Sequence, residues 1–513
     1  MACRNTARQS WIESKMDDQS AVVAFLSDPD SYGRRGAAVE RMDTHISHIF
    51  LVGSRAYKLK RAVTLPFVDF STLALRERFC RKELEVNRRT APELYLGLRA
   101  ITREADGRLA FDGSGEALDW VVEMMRFDQA GLFDHLVAAG KLQRTQVEQL
   151  AEMVAELHRS AEITDNYGGV AGMRQVVDGN EASFRRFLFH PFAPEKIDAL
   201  SRQCRDWLRR LEPLLEERRR GGKVKRCHGD LHLGNICLID EKPVLFDAIE
   251  FNEEFACIDQ GYDLAFLLMD FDRRNLGEFS ALVLSRCLSA SGDIEVLAAL
   301  PLFLSLRAAI RAHVAAAMGN QAEARGYLAR ALLYLSPPPP RLVAVGGLSG
   351  SGKSRLARHL APEIGARPGA LVVRSDVLRK RLWRVAPETR LPPEAYGEDV
   401  TARVYEAMFD QAGRALAAGH AVIIDAVSAR PEQRASIADL ARRHGVPFTG
   451  LWLDANPGAL MRRVSERRRN ASDANVAVVE QQLHYELGDI DWVRIDSSGD
   501  KARTLELAEA ALQ

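Results

Sequence analysis

The sequence predicts two domains, the first of α+β class and the second of α/β class with a parallel sheet. Three observations predict this division. Short apolar strands around one helix occupy residues 44 to 125, and the sequence becomes helix-rich after Gly131, an order typical of an α+β domain. The helices predicted there are Gln143–Ser160, Glu181–Phe189, Ile197–Arg220, Phe279–Ser289, Ile294–Met318 and Gln321–Leu335. Four prolines, Pro337 to Pro340, then interrupt the helical pattern. From Leu342 onward strands and helices alternate, which is typical of a parallel sheet wound by right-handed crossovers.

The composition is that of an ordinary globular protein. The chain has 513 residues, and its 70 basic and 70 acidic side chains leave no net charge to attract nucleic acid or an anionic membrane. Its seven cysteines are scattered without a C-x-x-C pair, which predicts reduced thiols. Because the N-terminus lacks an apolar signal core and no run approaches eighteen apolar residues, we expect a cytoplasmic protein with no membrane partner.

The first domain is expected at residues 41–336, after a segment, 1–40, to which the sequence assigns no role beyond a short helix near Ala21 to Leu26. Alternating residues on both sides of Gly53-Ser54 predict a hairpin, with Lys58 and Lys60 on one face of its second strand. A helix predicted from Leu73 to Arg89 carries Glu83, which could face that sheet.

A loop and two strands carry the most informative polar residues of this domain. The loop His228-Gly-Asp230-Leu-His-Leu-Gly-Asn235 precedes an apolar strand, and Asp247 ends the next apolar strand. Phosphoryl transfer to an alcohol requires a carboxylate near the acceptor hydroxyl and oxygen ligands that hold Mg²⁺ on the phosphates. Asp230, Asn235 and Asp247 meet that requirement.

These residues resemble the motifs of the aminoglycoside phosphotransferase branch of the protein-kinase-like fold, over roughly residues 40 to 335. The resemblance implies a bilobal domain in which Asp230 is the catalytic base and Asn235 and Asp247 are metal ligands. It also implies that Lys58 contacts the α- and β-phosphates of ATP with Glu83 as its helix partner, although Lys60 lies on the same strand face. The inter-lobe segment would be residues 123–125, holding adenine through backbone hydrogen bonds.

One departure from the family pattern concerns the nucleotide-covering glycine-rich loop. The predicted hairpin offers only Gly53-Ser54 in its place. The sequence therefore leaves open whether the first domain transfers phosphate or only senses a nucleotide.

The second domain, residues 341–513 after the proline linker 337–340, opens with a nucleotide-binding P-loop pattern. An apolar strand from Leu342 leads into Gly347-x-x-x-x-Gly352-Lys353-Ser354 and then a helix, which is the context that this motif requires. Its glycines let backbone N–H groups surround phosphate oxygens, while the lysine reaches the β- and γ-phosphates and Ser354 ligates Mg²⁺. The residues expected to bind nucleotide are Gly347, Leu348, Ser349, Gly350, Ser351, Gly352, Lys353 and Ser354.

Two further strands of this domain lead to carboxylates. The strand ending at Arg374 places Asp376 just beyond its carboxyl end, and the strand Ala421–Asp425 ends in a carboxylate expected to hold Mg²⁺. Residues 341–513 thus resemble the small P-loop kinases that phosphorylate metabolites, antibiotics or polynucleotide ends. The resemblance implies that Asp376 orients or deprotonates the acceptor hydroxyl, that Arg374 and Arg379 bind the acceptor, and that a lid arginine, Arg467 or else Arg463, neutralises the transferred group.

Together these patterns predict an ATP-dependent kinase with two active sites, both using ATP and Mg²⁺ and acting on a hydroxyl of a small-molecule acceptor. The arginine-rich stretch from Leu460 to Arg469 has no interleaved aromatic residues, so nucleic acid is expected only as a polynucleotide-end substrate. Two alternatives remain. One is a P-loop kinase regulated by a catalytically inactive nucleotide- or ligand-sensing first domain, and the other is an ATPase switch without a phosphorylated product.

Overall fold

The chain forms two compact units in the computed structural model, which describes residues 17–33, 38–65, 67–187, 190–466 and 471–512. The first unit is Met1–Lys141 with His228–Ala256, and the second is Leu142–Cys227 with Cys257–Gln513. This division falls inside the first predicted domain and not at the four prolines. The boundaries 41–336 and 341–513 stay predictions.

A six-stranded antiparallel sheet forms the centre of the first unit, in the order β1-β2-β3-β8-β6-β7, and two two-stranded ladders, β4-β5 and β10-β11, accompany it. Its elements are α1 (Ser20–Ser27), β1 (Val39–Asp43), β2 (Ser47–Val52), β3 (Arg55–Lys60), β4 (Thr64–Leu65), β5 (Val68–Asp69), α2 (Leu73–Asn87), β6 (Tyr95–Arg103), β7 (Leu109–Phe111), β8 (Glu116–Met125), α3 (Phe133–Ala138), β10 (Ile236–Ile239), β11 (Lys242–Leu245) and α7 (Glu253–Ala256).

The predicted hairpin around Gly53-Ser54 is confirmed as β2 and β3, paired in the register Ile49↔Lys58. Alternate residues of this hairpin face opposite sides of the sheet, as strand geometry requires. Phe50 packs with Val22 and Leu26 of α1 in one core cluster, and Leu51 packs with Cys80 of α2 in the other. Strand β1 was not predicted, because its residues are nearly all exposed and carry no apolar alternation.

Helices dominate the part of the second unit that precedes the prolines. The helix Gly169–Arg185 begins well before Glu181, where the sequence predicted its start, and the helix Gln260–Arg273 was not predicted from the sequence. The elements are α4 (Arg144–Ser160), α5 (Gly169–Arg185), α6 (Pro194–Arg220), β9 (Val224–Arg226), β12 (Cys257–Asp259), α8 (Gln260–Arg273), α9 (Gly277–Ser291), α10 (Val296–Ala317) and α11 (Gln321–Tyr334). Strands β9 and β12 pair antiparallel.

By length and composition, α10 is the one helix within the described ranges that could cross a membrane, although 78% of its most apolar window is buried inside the protein. A buried core helix passes the same test, so this observation is weak evidence for a membrane span.

A five-stranded parallel sheet, in the order β14-β15-β13-β16-β17, follows the prolines. The predicted strand–helix alternation is confirmed, and the fifth strand, β17, was not predicted. The elements are β13 (Leu342–Gly346), α12 (Lys353–Leu360), β14 (Leu371–Arg374), α13 (Ser375–Leu382), α14 (Glu398–Ala417), β15 (Val422–Asp425), α15 (Pro431–Arg443), β16 (Phe448–Asp454), α16 (Pro457–Ser465), α17 (Val476–Leu483), β17 (Val493–Asp496) and α18 (Lys501–Ala510).

The core of this sheet contains a residue from the helical part of the unit. Val343, Ile423 and Leu451 from the central strands cluster with Leu356 of α12, and Ala281 of α9 belongs to the same buried cluster. Helix α9 therefore packs directly on the parallel sheet. The two sheets and their order confirm the predicted fold class, an α+β fold followed by an α/β fold with a parallel sheet.

Candidate active sites

Buried ion pairs connect β3 and α2 at the candidate site of the first unit. Lys58 Nζ lies 2.7 Å from Glu83 Oε1 and 2.5 Å from Asp247 Oδ1. Lys60 Nζ lies 2.7 Å from the other oxygen of Glu83 and also contacts Glu250. Both lysines thus share one carboxylate, but within these four ion pairs only Lys58 contacts the candidate metal ligand Asp247.

The protonation states of this network follow from its burial. Burial alone would lower the pKa of Lys58, but Asp247 and Glu83 raise it well above its ordinary value. Burial would likewise raise the pKa of Glu83, but Lys58 and Lys60 lower it to about 2. For Glu250 burial outweighs Lys60, so its pKa is raised. Glu250 was missed in the sequence, because no spacing rule connects it to Lys60.

The loop between His228 and Asn235 brings two of the predicted residues together. The side-chain amide of Asn235 donates to Asp230 Oδ2 at 3.0 Å and to the Asp230 backbone carbonyl at 2.9 Å. His232 Nε2 lies 3.4 Å from the same carboxylate oxygen. Phe246, next to Asp247, donates its N–H to the Asn235 carbonyl at 3.1 Å, so the loop and the end of β11 are joined.

The structure corrects the expectation for residues 123–125. These residues lie within β8, which pairs with β3 on one side and with β6 on the other. The N–H of Met125 donates to the Leu94 carbonyl at 2.8 Å. Their backbone groups belong to the sheet and not to an inter-lobe linker, because the strand continues to Met125.

The glycine-rich loop is absent at two turns of the first sheet. Residues 44–46 join β1 to β2 without a glycine, and Thr44 Oγ1 accepts the Ser47 N–H at 2.9 Å. The turn between β2 and β3 is Gly53-Ser54 alone. Neither turn has the glycines that let a protein kinase cover the phosphates of ATP.

In the second unit, the predicted nucleotide-binding loop lies between β13 and α12, as the motif requires. Gly350 has φ +92° and a Cβ there would lie 2.7 Å from the Leu460 carbonyl oxygen, so only glycine fits. Gly352 has φ +101° and a Cβ there would enter open space. Lys353 Nζ donates across the loop to the Leu348 carbonyl at 3.0 Å.

The loop also has polar groups suited to an anionic ligand. The buried Ser351 hydroxyl has no hydrogen-bond partner in the described part of the chain. Helix α12 begins at Lys353, and the first amides of a helix have no helical acceptor and carry its positive dipole end. The Ser349 N–H, by contrast, is already engaged, since it donates to the Gln482 side chain at 2.8 Å. This open glycine cradle and its donors fit the phosphates of a nucleotide.

The two predicted magnesium ligands of this site face a common guanidinium. Arg374 Nε donates to Asp425 Oδ2 at 3.0 Å, and Arg374 Nη2 donates to Ser354 Oγ at 3.1 Å. A hydroxyl and a carboxylate are the hard oxygen donors that Mg²⁺ prefers, so the residues present fit that ion. Arg374, expected to bind the acceptor, instead bridges this donor pair.

Asp376 begins beyond the carboxyl end of β14, in the first turn of α13. Burial raises the pKa of its carboxyl above the ordinary value, although Arg374 opposes the shift and the Ser472 side chain hydrogen-bonds to it. A raised pKa suits a carboxylate that accepts a proton. The sequence did not reveal Ser472, which is distant from Asp376 along the chain.

The predicted arginines have different surroundings. Arg379 is buried and donates to the Ala395 carbonyl at 2.6 Å. Arg463 donates to the Ser497 carbonyl at 2.7 Å and to the Gly350 carbonyl at 3.5 Å. Arg467, the first lid candidate, lies outside the described residues.

One cavity of about 420 Å³ contains most of the second site. The sequence did not indicate that three residues before the prolines also line it, because nothing in their spacing links them to the loop. The lining includes Ser349, Gly350, Ser351, Gly352, Lys353, Ser354, Arg358, Arg374, Asp376, Asp425, Arg463 and, from α4 and α9, Arg144, Glu148 and Arg286. Gly347 and Leu348 complete the loop but are not among the lining residues. The catalytic, nucleotide-binding and metal-binding roles of all these residues stay predictions.

Comparison with known proteins finds two family models in tandem. A model described as "Phosphotransferase enzyme family" matches residues 77–299, and one described as "AAA domain" matches residues 342–486. An uncharacterized protein of Mycobacterium tuberculosis (strain H37Rv) is 28% identical over 487 residues, which cover 91% of this chain and 94% of that protein.

Solved structures resemble each part of the chain. A gluconokinase from Sinorhizobium meliloti 1021 is 19% identical and covers 34% of this chain and 91% of its own, with a TM-score of 0.26. The GDP complex of aminoglycoside 2'-phosphotransferase-IIIa is 13% identical and covers 62% of this chain and 99% of its own, with a TM-score of 0.39. The order of the two family models matches the order of the two sheets. The chain therefore matches the phosphotransferase family model over residues 77–299 and then, in the same polypeptide, the AAA domain model over residues 342–486, which include the P-loop.

Proposed function

We propose that the protein transfers the γ-phosphoryl group of Mg·ATP to a hydroxyl of a small-molecule acceptor, with one active site in each kinase-like domain. The observation that carries this proposal is the single cavity in which the P-loop, Asp376 and Asp425 meet. Asp425 ends β15, which lies between β13, the strand leading into the P-loop, and β14, the strand leading to Asp376. This arrangement lies at the carboxyl ends of parallel strands, where ligands of open α/β sheets bind.

The residues of this cavity have distinct tasks in the transfer. Lys353 and the loop amides hold the phosphates of ATP. Asp376 accepts the proton of the acceptor hydroxyl while the hydroxyl oxygen bonds to the γ-phosphorus and the bond between that phosphorus and ADP breaks. Ser354 and Asp425 would hold Mg²⁺, which neutralises phosphate charge when bound. Catalysis rests on positioning and charge neutralisation, since no covalent intermediate is required.

In the first domain, Asp230 takes the part of the proton acceptor and Lys58 the part of the phosphate-binding lysine. Asn235 and Asp247 supply the oxygen ligands for a metal ion. The ion pair between Lys58 and Asp247 keeps the lysine beside the candidate metal ligand.

A second candidate function follows from the turns without glycines. The P-loop domain would then be the active kinase or ATPase, and the first domain would bind a nucleotide or another ligand and regulate it. The absence of glycine at residues 44–46 favours this alternative, because the phosphates would lack a covering loop.

Product analysis of four proteins tests both candidates. Wild type, Asp230→Ala, Lys353→Ala and the double variant are incubated with Mg·ATP and an acceptor library, and phosphorylated products are detected by mass spectrometry. We expect each single variant to lose a different product, with at least about a 100-fold fall in kcat/KM at the altered site. Asp198→Ala and Lys196→Ala, at exposed positions of α6, are matched controls for the lost charges.

The other outcomes select among the alternatives. If only Lys353→Ala removes a product, the first domain is a sensor and Asp230 is not a base. ATP hydrolysis that no acceptor accelerates would contradict the kinase proposal and favour an ATPase switch. Phosphorylation of no aminoglycoside would exclude antibiotic resistance as the role of the first domain.

A further inference from the structure

Helices that precede the four prolines form part of the wall of the P-loop cavity. Arg144 and Glu148 from α4 and Arg286 from α9 line the same cavity as Lys353 and Asp376. All of these residues belong to the second compact unit. The charges of these three side chains therefore influence which ligands the P-loop site binds.

Most cations of this region have acidic partners. Arg286 lies 2.8 Å from Glu152, 2.9 Å from Glu388 and 3.4 Å from Glu148. Arg144 lies 2.5 Å from Glu148. Arg374 is paired with Asp425, as described above.

Arg358 on α12 differs from these arginines in its hydrogen bonds and ion pairs. No hydrogen bond or ion pair of Arg358 is found among the described residues, although the carboxylates of Asp425 and Glu148 interact with its charge at longer range. Burial, together with repulsion from Arg144 and Arg374, lowers the pKa of its guanidinium to about 10, and the carboxylates of Asp425 and Glu148 offset only part of this effect. It is still charged at neutral pH. A partly buried charge beside two other guanidinium groups is unfavourable unless an anion compensates it.

Arg358 lies further along α12 than the residues of the P-loop. It follows Lys353 by five residues on α12, which corresponds to about 7.5 Å along the helix axis. Its cationic neighbours are Arg374, two residues before Asp376, and Arg144 of α4. An anion at Arg358 would therefore lie in the same cavity as Asp376, the candidate proton acceptor.

We propose that Arg358 and Arg144 bind an anionic group of the acceptor, a phosphoryl or carboxylate group, so that the P-loop site acts on anionic hydroxyl compounds. This inference rests on the proposed function of the P-loop domain. Guanidinium groups suit both anions because their planar donors match two oxygens at once. Because Arg144 belongs to α4, a helix before the prolines completes the acceptor site of the P-loop domain.

Inorganic phosphate is the probe for this site. Thermal unfolding of the full chain is followed during phosphate titration with saturating ADP, at ionic strength held constant with chloride. We expect phosphate to stabilise wild type and Lys353→Ala alike, while Arg358→Gln and Arg144→Gln weaken the apparent phosphate affinity about tenfold or more. Arg442→Gln, at an exposed position of α15 paired with Asp439, is the matched control.

The same measurement contains the results that would overturn the inference. Phosphate stabilisation that Lys353→Ala abolishes and Arg358→Gln retains would place the anion on the P-loop alone. Equal stabilisation of all variants would mean an unspecific salt effect. Without phosphate, Arg358→Gln should unfold at a higher temperature than wild type, and a lower temperature would reveal a structural partner of Arg358.

Kinetics with paired acceptors separate this inference from the proposed function. Glucose 6-phosphate is compared with glucose, and glycerate with glycerol, as acceptors for wild type and Arg358→Gln. We expect turnover of the anionic member only, with a KM about tenfold higher in the variant and competition by phosphate. Turnover of neutral acceptors that Arg358→Gln does not alter would overturn the inference and leave the kinase function intact. If no compound is phosphorylated, the proposed function fails, and the titration alone then decides whether Arg358 binds an anion.

Discussion

Glu83 is the residue on which the first candidate site depends most directly. Its side chain is fully buried, and its two oxygens each accept from a different lysine, Lys58 and Lys60. A buried charge that loses its partner costs far more than an exposed pair contributes. The carboxylate therefore holds β3 and α2 together and also keeps Lys58 beside Asp247.

We expect Glu83→Gln to destabilise the first unit by about 3–5 kcal/mol at neutral pH, since two buried ammonium groups lose a shared anion. The pKa of Glu83 is lowered from 4.5 to about 2 in the folded protein. Its contribution is therefore present above pH 4.5 and is lost as the pH falls toward 2. Hydrogen exchange of β3 and α2 at increasing urea concentration measures the free energy of unfolding of wild type and Glu83→Gln. The difference between these two free energies should become smaller below about pH 4.5.

Glu85→Gln is the control for this prediction, because Glu85 lies on the same helix but is exposed and pairs only with Lys82 among the ion pairs described. A surface substitution of this kind should change the free energy of unfolding by less than about 0.5 kcal/mol. An equal effect of the two variants would show that the Glu83 network does not stabilise the unit.

Helix α9 precedes the P-loop sheet in the chain but packs against the edge of that sheet. Strand β14 is the edge of that sheet, and edge strands have backbone groups without strand partners. Ser285 Oγ of α9 accepts the Val372 N–H of β14 at 3.1 Å. The helix thus covers the edge and supplies one of the missing acceptors.

Ser285→Ala tests whether the edge strand β14 needs this hydrogen-bond acceptor. We expect a loss of about 1 kcal/mol in local stability, because the partly buried N–H of Val372 loses its acceptor. Hydrogen exchange of that amide should accelerate correspondingly. Ser289→Ala, one turn further along α9, removes a hydroxyl without a hydrogen bond among those described and should leave the exchange of Val372 unchanged. Acceleration in both variants would attribute the effect to the helix and not to the hydrogen bond.

At the scale of the whole molecule, the second compact unit combines helices from before the prolines with the complete P-loop sheet. Arg414 Nε lies 2.7 Å from Glu295 Oε1, and the same guanidinium donates to the Gly292 carbonyl at 3.0 Å. Pro362 packs so closely on Gly277 that a Cβ there would lie 2.8 Å away. These contacts join parts of the chain that the sequence predicts as separate domains, so each part is expected to stabilise the other.

We therefore expect a fragment of residues 341–513 to be less stable than the same residues in the full chain. The fragment would expose the β14 edge and the apolar surface around Ala281. Hydrogen exchange of β13 and β15 should be faster in the fragment, and a longer fragment of residues 257–513 should restore much of the protection. Equal protection in fragment and full chain would show that the P-loop sheet folds without the helices.

The agreement between sequence and structure depends on the range of the interactions concerned. The β2–β3 hairpin and the P-loop could be predicted because their signals, residue alternation and glycine spacing, are local. Strand β1 could not, because an exposed edge strand carries no apolar pattern. Helix α8 was missed because nearly all of its residues are buried. A helix without a polar face lacks the alternation of polar and apolar residues, with a period of about 3.6, that indicates a helix in a sequence.

The sequence by itself determined the two kinase-like folds, their order, and the candidate residues Asp230, Asn235, Asp247, Lys353 and Asp425. These residues follow from motifs in which the chemistry requires given side chains at given spacings. Tertiary structure alone decided that Lys58 contacts Asp247, that Arg374 bridges Ser354 and Asp425, and that Arg144 lines the P-loop cavity. Such pairs join residues far apart in the chain, and their contact depends on packing that no local pattern encodes.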